Sequence, residues 1–93
     1  MREYELTLIL KPTLNEEGVN ATSQKVEGWI TSGGGELMSA TPVGRKRLAY
    51  SLGHQRDGTY VLLQFRARPE SLSEMERNLR LSEDVLRHMV VRR

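Results

Sequence analysis

Three consecutive cations stand within a strand-like segment of this chain, and they are its strongest candidates for a binding role. The run is Arg45-Lys46-Arg47, and Tyr50 lies three residues after it. Neighbouring cations repel one another, whereas a phosphate backbone attracts each of them and releases its own counterions on contact. An edge strand that carries lysine and arginine to prevent pairing with another sheet accounts for the same residues. The triplet alone leaves both interpretations open.

The charge of the whole chain is distributed unevenly. The 93 residues carry a net charge of only +2, but residues 1–44 contain three cations and six acids, whereas residues 45–93 contain eleven cations and six acids. The two parts therefore carry net charges of −3 and +5. This asymmetry indicates an anionic partner that meets one region of the surface, without identifying the anion.

The composition is that of a small globular protein, and we expect a single domain over residues 1–93. Hydrophobic residues make up 38% of the chain and charged residues 28%, which is not typical of a disordered segment. The absence of cysteine excludes disulfides, thiolate catalysis and cysteine-ligated metal sites. No apolar run approaches the roughly 18 residues of a membrane span, and the acidic, strand-like start is not typical of a secretory signal. We therefore expect a cytoplasmic protein that has no membrane partner.

Residue types that support catalysis do not form a convincing site. The glycine run at 33–35 follows a predicted helix and precedes a strand, which is the reverse of the order in a phosphate-binding loop. His54 is predicted in a turn and His88 in the last strand, and a solvent-facing or hydrogen-bonded histidine is the favoured interpretation for each. No catalytic residue, metal site, cofactor or small-molecule substrate is expected, and the protein is predicted not to be an enzyme.

Apolar periodicity and helix signals predict the order strand, helix, strand, strand, helix, strand. Asn15 is the predicted N-cap of the first helix, and Ser71 with Glu74 is a predicted capping box for the second. Residues 53–58 are predicted to form the turn between the second and third strands, and Asp57-Gly58 within this segment is a favoured hairpin dipeptide. The strands are predicted at 2–10, 36–52, 59–67 and 85–92, and the helices end at the glycines 33–35 and at about residue 81.

Short connections and right-handed crossovers then favour a four-stranded antiparallel sheet with both helices on one face, the ferredoxin-like α+β arrangement (βαββαβ). Pro42 and Gly44 indicate that the second strand lies at an edge. The core between sheet and helices is predicted from Leu6, Leu8, Leu10, Val26, Ile30, Val61, Leu63, Phe65, Leu72, Met75 and Leu79.

The second face of this sheet is expected to stay open and partly apolar. It would present Thr7, Ile9, Tyr60, Leu62, Met89 and Val91. Such a face usually binds something, and a thinly hydrophobic, solvated sheet is the less favoured alternative. Because only Tyr60 in this set is aromatic, base stacking of the kind made by RNA-recognition motifs is not expected. Any RNA contact should come from cations around the rim.

Several segments, in this order and at this spacing, resemble the bacterial small-subunit ribosomal protein six family over nearly all 93 residues. They are Met1-Arg2-x-Tyr4-Glu5, Lys11-Pro12, the Arg-Lys-Arg-Leu-Ala-Tyr block at 45–50, Gly58-x-Tyr60, Leu79-Arg80 and the segment 85–92.

The resemblance implies a structural constituent of the small ribosomal subunit that binds rRNA in the central (platform) domain together with small-subunit ribosomal protein eighteen. Members contact that partner largely through the second strand and its hairpin, which here carries Pro42, Lys46, Arg47, Leu48 and Tyr50. The resemblance also suggests, as ligands of rRNA phosphate, the cations Arg2, Arg45, Arg80, Arg87 and Arg92. It implies a monomer when the protein is free.

A ligand-sensing or oligomerising module with the same fold is the competing hypothesis. That hypothesis predicts a dimer and a bound metabolite, but it does not explain the cation-rich second half of the chain.

Overall fold

The computed structural model describes residues 1–52 and 55–93, and it contains a four-stranded antiparallel sheet with two helices on one face. The second strand in chain order lies at one edge, followed across the sheet by the third, the first and the fourth, so the ferredoxin-like prediction and the edge position of the second strand are confirmed. The elements are β1 (Arg2–Leu10), α1 (Glu16–Ser32), β2 (Glu36–Leu52), β3 (Gln55–Ala67), a 3-10 turn (Pro69–Ser71), α2 (Leu72–Leu81) and β4 (Val85–Arg92).

The core lies between the helices and the two central strands, because alternate residues of these strands point to opposite faces of the sheet. Leu6 of β1 is fully buried between Leu63 of β3 and Val90 of β4. Tyr4 is also buried and stacks on Phe65, with 5.5 Å between ring centroids. Every residue of the predicted core is buried except Leu72, which is partly buried and packs against the others. Each large buried side chain contributes roughly 1.5–3 kcal/mol.

Helix α1 begins and ends as predicted. The side chain of Asn15 accepts a hydrogen bond of 2.8 Å from the backbone N–H of Gly18, which satisfies one donor of the first turn. At the other end, the backbone N–H groups of Gly34 and Gly35 donate to the carbonyls of Thr31 and Ile30. The glycine run therefore ends this helix.

The predicted capping box of α2 is wrong. Ser71 already has helical backbone angles (φ −82°, ψ −13°) and makes no side-chain cap bond. Its hydroxyl instead donates a 2.8 Å hydrogen bond to the carbonyl of Arg68. The physical reason is that the 3-10 turn precedes the helix directly, so Ser71 cannot take the extended conformation of an N-cap residue.

The predicted turn at Asp57-Gly58 is also wrong, because β3 begins earlier than expected. Asp57 and Gly58 lie within the ladder opposite Arg47 and Lys46. Gly58 allows β3 to lie close to Ile9 of β1, because a Cβ atom at position 58 would collide with Cγ2 of Ile9. The predicted turn position of His54 lies outside the described residues.

The far half of the β2–β3 hairpin covers part of the sheet face that was expected to be open. Gly44 marks a register shift of β2 and has a φ of +108°, which L-residues with side chains rarely adopt. Beyond it, Cδ2 of Leu48 lies 3.5 Å from the position that a Cβ atom of Gly58 would occupy, and Cγ2 of Ile9 approaches the same position. Ile9 is consequently only 8% exposed, so the prediction that Ile9 lies open is wrong. The long-range bend of the hairpin, which no local pattern encodes, is the cause.

Candidate nucleic-acid interface

A strongly charged cavity lies where β1 begins and β4 ends; we call it the strand-end cleft. Its volume is about 580 Å³, and it is lined by Met1, Arg2, Glu3, Glu36, Arg66, Arg92 and Arg93. Two of the predicted rRNA ligands meet here. Arg92 pairs with Tyr4 across the β1–β4 ladder, and Arg2 lies two residues before Tyr4 on the same side of the sheet.

On the opposite face of the sheet, at the same end, acidic and basic side chains alternate from one strand to the next. Arg66 pairs with Glu3 in one ladder and with Glu36 in the next. The Glu3 carboxylate accepts from Nε and Nη2 of Arg66, each at 3.4 Å. The backbone N–H of Arg93 donates to the carbonyl of Glu3 at 3.0 Å. Glu3 therefore holds two arginines of the cleft, one by its side chain and one by its backbone.

Two further predicted rRNA ligands border a groove between α2 and β4. Arg80 and Arg87 line this cavity of about 430 Å³ together with Leu79, Val85, Leu86 and His88. Nε2 of His88 lies 3.7 Å from a carboxylate oxygen of Glu76 on α2, which is longer than a hydrogen bond, so the two side chains are neighbours at the helix–sheet contact. Arg87 also donates a hydrogen bond to the hydroxyl of Tyr50.

Arg45, the fifth predicted rRNA ligand, lies apart from the others on the edge strand β2. Its guanidinium is 3.8 Å from the carboxylate of Asp57, and both side chains are largely exposed. An exposed pair of this kind contributes at most about 1 kcal/mol. All five predicted arginines are exposed, but the structure distributes them over three locations and does not gather them in one patch.

The five predicted partner residues lie on both sides of β2. Lys46, Leu48 and Tyr50 share the side of the open sheet face, whereas Pro42 pairs with Val61 and points to the helix side. Arg47 alternates with Lys46 and also points away from the open face. The ammonium of Lys46 stands over the ring of Tyr60, 5.7 Å from the centroid.

The open face keeps an apolar area beyond the reach of the hairpin. Met89 and Val91 of β4 are 48% and 52% exposed, and Leu62 of β3 is half-buried on the far side of Thr7 from Met89. Within residues 1–52 and 55–93, no group of three or more His, Asp or Glu side chains is arranged to hold a metal ion. None of the helices described is long and apolar enough to cross a membrane.

Comparisons with known proteins identify the family of this chain. A sequence model described as ribosomal protein S6 matches residues 3–92. The chain belongs to the ribosomal protein S6 family. It is 37% identical over 92 residues to the small ribosomal subunit protein bS6 of Desulforamulus reducens, covering 99% of this chain and 97% of that protein. It is 41% identical to the bS6 protein of Campylobacter lari, covering 99% of this chain and 74% of that protein.

A solved structure agrees with the ferredoxin-like fold. The crystal structure of 30S ribosomal protein S6 from Thermotoga maritima superposes with a TM-score of 0.92, at 26% sequence identity, over 99% of this chain and 87% of the other. Membership of the S6 family makes this protein a component of the small subunit of the cytoplasmic ribosome and not an enzyme. The resemblance deduced from the sequence is thus confirmed.

Two arginines of the strand-end cleft were missed by reasoning from the sequence. Arg66 is the last residue but one of β3, and only the ladder register shows that it lies between Glu3 and Glu36. Arg93 follows the last residue of the predicted fourth strand, so the strand pattern places it outside the sheet. The period-two alternation of β3 did contain a signal, since it places Arg66 on the open face with Gln64.

Proposed function

We propose that this S6-family protein binds small-subunit rRNA in the central (platform) domain, and that it does so together with small-subunit ribosomal protein eighteen. The observation that carries the proposal is the convergence of Arg2 and Arg92 on the strand-end cleft. Within the described residues, neither guanidinium has a carboxylate within 4.0 Å. Exposed arginines without an internal partner are suited to bidentate contact with phosphate oxygens.

The remaining predicted cations lie apart from this cleft. Arg80 and Arg87 are proposed to contact phosphates along the groove between α2 and β4, and Arg45 to contact RNA at the other edge of the sheet. Among the described residues, the central strands of the open face carry one aromatic ring, the half-buried Tyr60, and Tyr50 belongs to the proposed partner contact, so RNA recognition would rely on backbone and shape more than on stacked bases.

The partner protein is proposed to contact side chains on both faces of the edge strand β2. Lys46, Leu48 and Tyr50 offer it a mixed apolar and cationic strip on one side, and Pro42 and Arg47 stand on the other. An edge strand also has unpaired backbone groups, which a second chain can use for pairing. The half-buried Leu48 and the exposed Tyr50 are the apolar anchors of this contact.

Chemical footprinting of a central-domain rRNA transcript tests the proposal. The transcript is probed alone, with this protein, with protein eighteen, and with both. We expect protections that require both proteins and that weaken in the double variant Arg2→Gln, Arg92→Gln. Arg77→Gln is the matched control, because Arg77 is an exposed arginine of α2 that lines none of the cavities described above. A footprint that is unchanged when this protein is added would contradict the proposal.

A further inference from the structure

The strand-end cleft contains two arginines in addition to Arg2 and Arg92, which are Arg66 and Arg93. Its lining includes four arginines and two glutamates, so its side chains carry a net charge of +2. Three different strands supply Arg2, Arg66 and Arg92, and Arg93 follows directly after β4. Pockets for small organic ligands are mostly apolar, whereas Met1 is the single apolar side chain in this lining. The cleft is therefore suited to an anion.

We propose that the strand-end cleft is a phosphodiester-binding site in which Arg66 and Arg93 are RNA ligands beside Arg2 and Arg92. We further propose that Glu3 is a positioning residue whose carboxylate holds the guanidinium of Arg66 in place. This inference rests on the proposed function, since it specifies how one part of the protein contacts RNA. It adds two ligands and one positioning residue that the sequence did not indicate.

The contacts of Arg66 leave part of its guanidinium free for an anion. The Glu3 carboxylate faces Nε and Nη2, and a guanidinium has five N–H donors in a fixed fork. Both N–H groups of Nη1 and one of Nη2 are therefore directed away from Glu3. The side chain of Arg66 is 51% exposed, so an RNA phosphate can reach these donors. A guanidinium held in this way loses less conformational entropy when it binds.

Arg93 is held by its backbone. Its N–H donates to the carbonyl of Glu3 at 3.0 Å, which continues the β1–β4 ladder by one residue beyond Arg92. In that register Glu3 of β1 has Arg66 as its neighbour in the direction of β3 and Arg93 as its neighbour in the direction of β4. Arg66 and Arg93 consequently flank one carboxylate from two neighbouring strands, about 10 Å apart as two strand spacings require. This separation allows two phosphates of one RNA strand to be contacted across Glu3.

Affinity and its salt dependence measure the contribution of each side chain. The complex of a central-domain transcript, protein eighteen and this protein is assembled at several salt concentrations. We expect Arg66→Gln and Arg93→Gln each to weaken binding about 3- to 10-fold and to reduce the log–log salt slope by about 0.9. Arg77→Gln should change neither quantity. Arg66→Lys keeps the positive charge but removes the planar guanidinium with its paired N–H donors. This variant should therefore keep the salt slope of the wild type and bind RNA more weakly.

Whether Glu3→Gln raises or lowers the affinity for RNA tests the positioning role. Simple electrostatics predicts tighter RNA binding, because this variant removes a negative charge from a site for an anion. We expect weaker binding, because Arg66 loses the carboxylate that orients it. Thermal unfolding of each variant should stay within about 5 °C of the wild type, since exposed ion pairs contribute little to stability. Tighter binding by Glu3→Gln would overturn the positioning role.

The outcomes distinguish this inference from the proposed function. If the wild-type complex forms and weakens on Arg2→Gln, Arg92→Gln but not on Arg66→Gln or Arg93→Gln, the inference is wrong and the proposed function stands. If the wild-type protein does not assemble with RNA at all, both are wrong. If Arg66→Gln and Arg93→Gln weaken association with protein eighteen in the absence of RNA, the cleft accepts protein carboxylates instead, and the inference is overturned.

Discussion

The hydroxyl of Tyr50 accepts a hydrogen bond of 2.7 Å from Nη1 of Arg87, and this bond connects the two edge strands of the sheet. Tyr50 belongs to β2 and Arg87 to β4, with β3 and β1 between them. The bond is possible because the hairpin bends over the open face above Ile9. Since Tyr50 is a proposed partner residue and Arg87 a proposed rRNA ligand, the two proposed interfaces are in direct contact.

Partner binding and RNA binding should therefore be energetically coupled through this bond. In a double-mutant cycle with Tyr50→Phe and Arg87→Gln, we expect an interaction energy of about 0.5–1.5 kcal/mol in the assembly of the three-component complex. The measurement is the affinity of the complex for the wild type, the two single variants and the double variant.

A second cycle, with Tyr50→Phe and Arg2→Gln, is the control for this coupling. Arg2 lies in the strand-end cleft and does not contact Tyr50, so its effect should add to that of Tyr50→Phe within about 0.5 kcal/mol. Equal interaction energies in the two cycles would show that the Tyr50–Arg87 bond does not couple the interfaces.

Gly58→Ala should destabilise the protein by about 1–3 kcal/mol, as expected when an atom is forced into a packed site. The new Cβ would collide with Cγ2 of Ile9 and lie 3.5 Å from Cδ2 of Leu48. Urea unfolding measures the loss. Gly28→Ala is the matched control: a Cβ there meets nothing within 4 Å, and alanine favours the helix by up to about 1 kcal/mol. A neutral Gly58→Ala would contradict the close approach of the hairpin to β1.

Local patterns were sufficient to predict the strands, helices and core because each depends on neighbouring residues. The alternation around Leu6 indicates a strand. The side chain of Asn15 caps α1 by accepting a hydrogen bond from the N–H of Gly18, three residues further along the chain. The predictions for Asp57-Gly58 and Ser71 failed where the environment, and not the local residues, decides the conformation. Gly58 is needed for contact with Ile9, which is 49 positions away in the chain, and Ser71 is already inside a 3-10 turn.

The candidate site was less predictable than the fold, because its geometry depends on register between distant strands. Residue types indicated the arginines, and the resemblance to a family suggested roles for five of them. The contact of Arg66 with Glu3 joins residues 63 positions apart in the chain. The Tyr50–Arg87 bond joins residues 37 positions apart, so neither contact could be deduced before the sheet order and the bend of the hairpin were known.

Lys46→Ala combined with Arg47→Ala should weaken association with protein eighteen by about tenfold while folding stays nearly unchanged. The contact of Lys46 with the Tyr60 ring is exposed and contributes only about 0.5–1 kcal/mol to stability. Because the two side chains point to opposite sides of β2, the single variants report separately on each side of the strand. Isothermal titration measures association, and urea unfolding measures stability. Parallel losses of stability and association would assign the triplet a structural role.

The free protein should sediment as a monomer at micromolar concentration in the absence of RNA. The hairpin already covers part of the open face, and Lys46 and Arg45 keep charge on the edge strand β2, which disfavours pairing of two copies. Analytical ultracentrifugation measures the mass, with the double variant Met89→Ser, Val91→Ser as the comparison for association through the exposed apolar area. A stable wild-type dimer that this double variant dissociates would favour the competing hypothesis of an oligomerising regulatory module.

The salt dependence of RNA binding tests the central claim most directly, because it counts the phosphates that arginine side chains neutralise. We expect the affinity of the complex with the central-domain transcript and protein eighteen to fall steeply as salt is raised. If Arg2, Arg45, Arg87 and Arg92 each meet a phosphate, these four contacts account for a log–log slope of about −3 to −4, and Arg66 and Arg93 make it steeper. A slope near zero for the assembled complex would contradict the account.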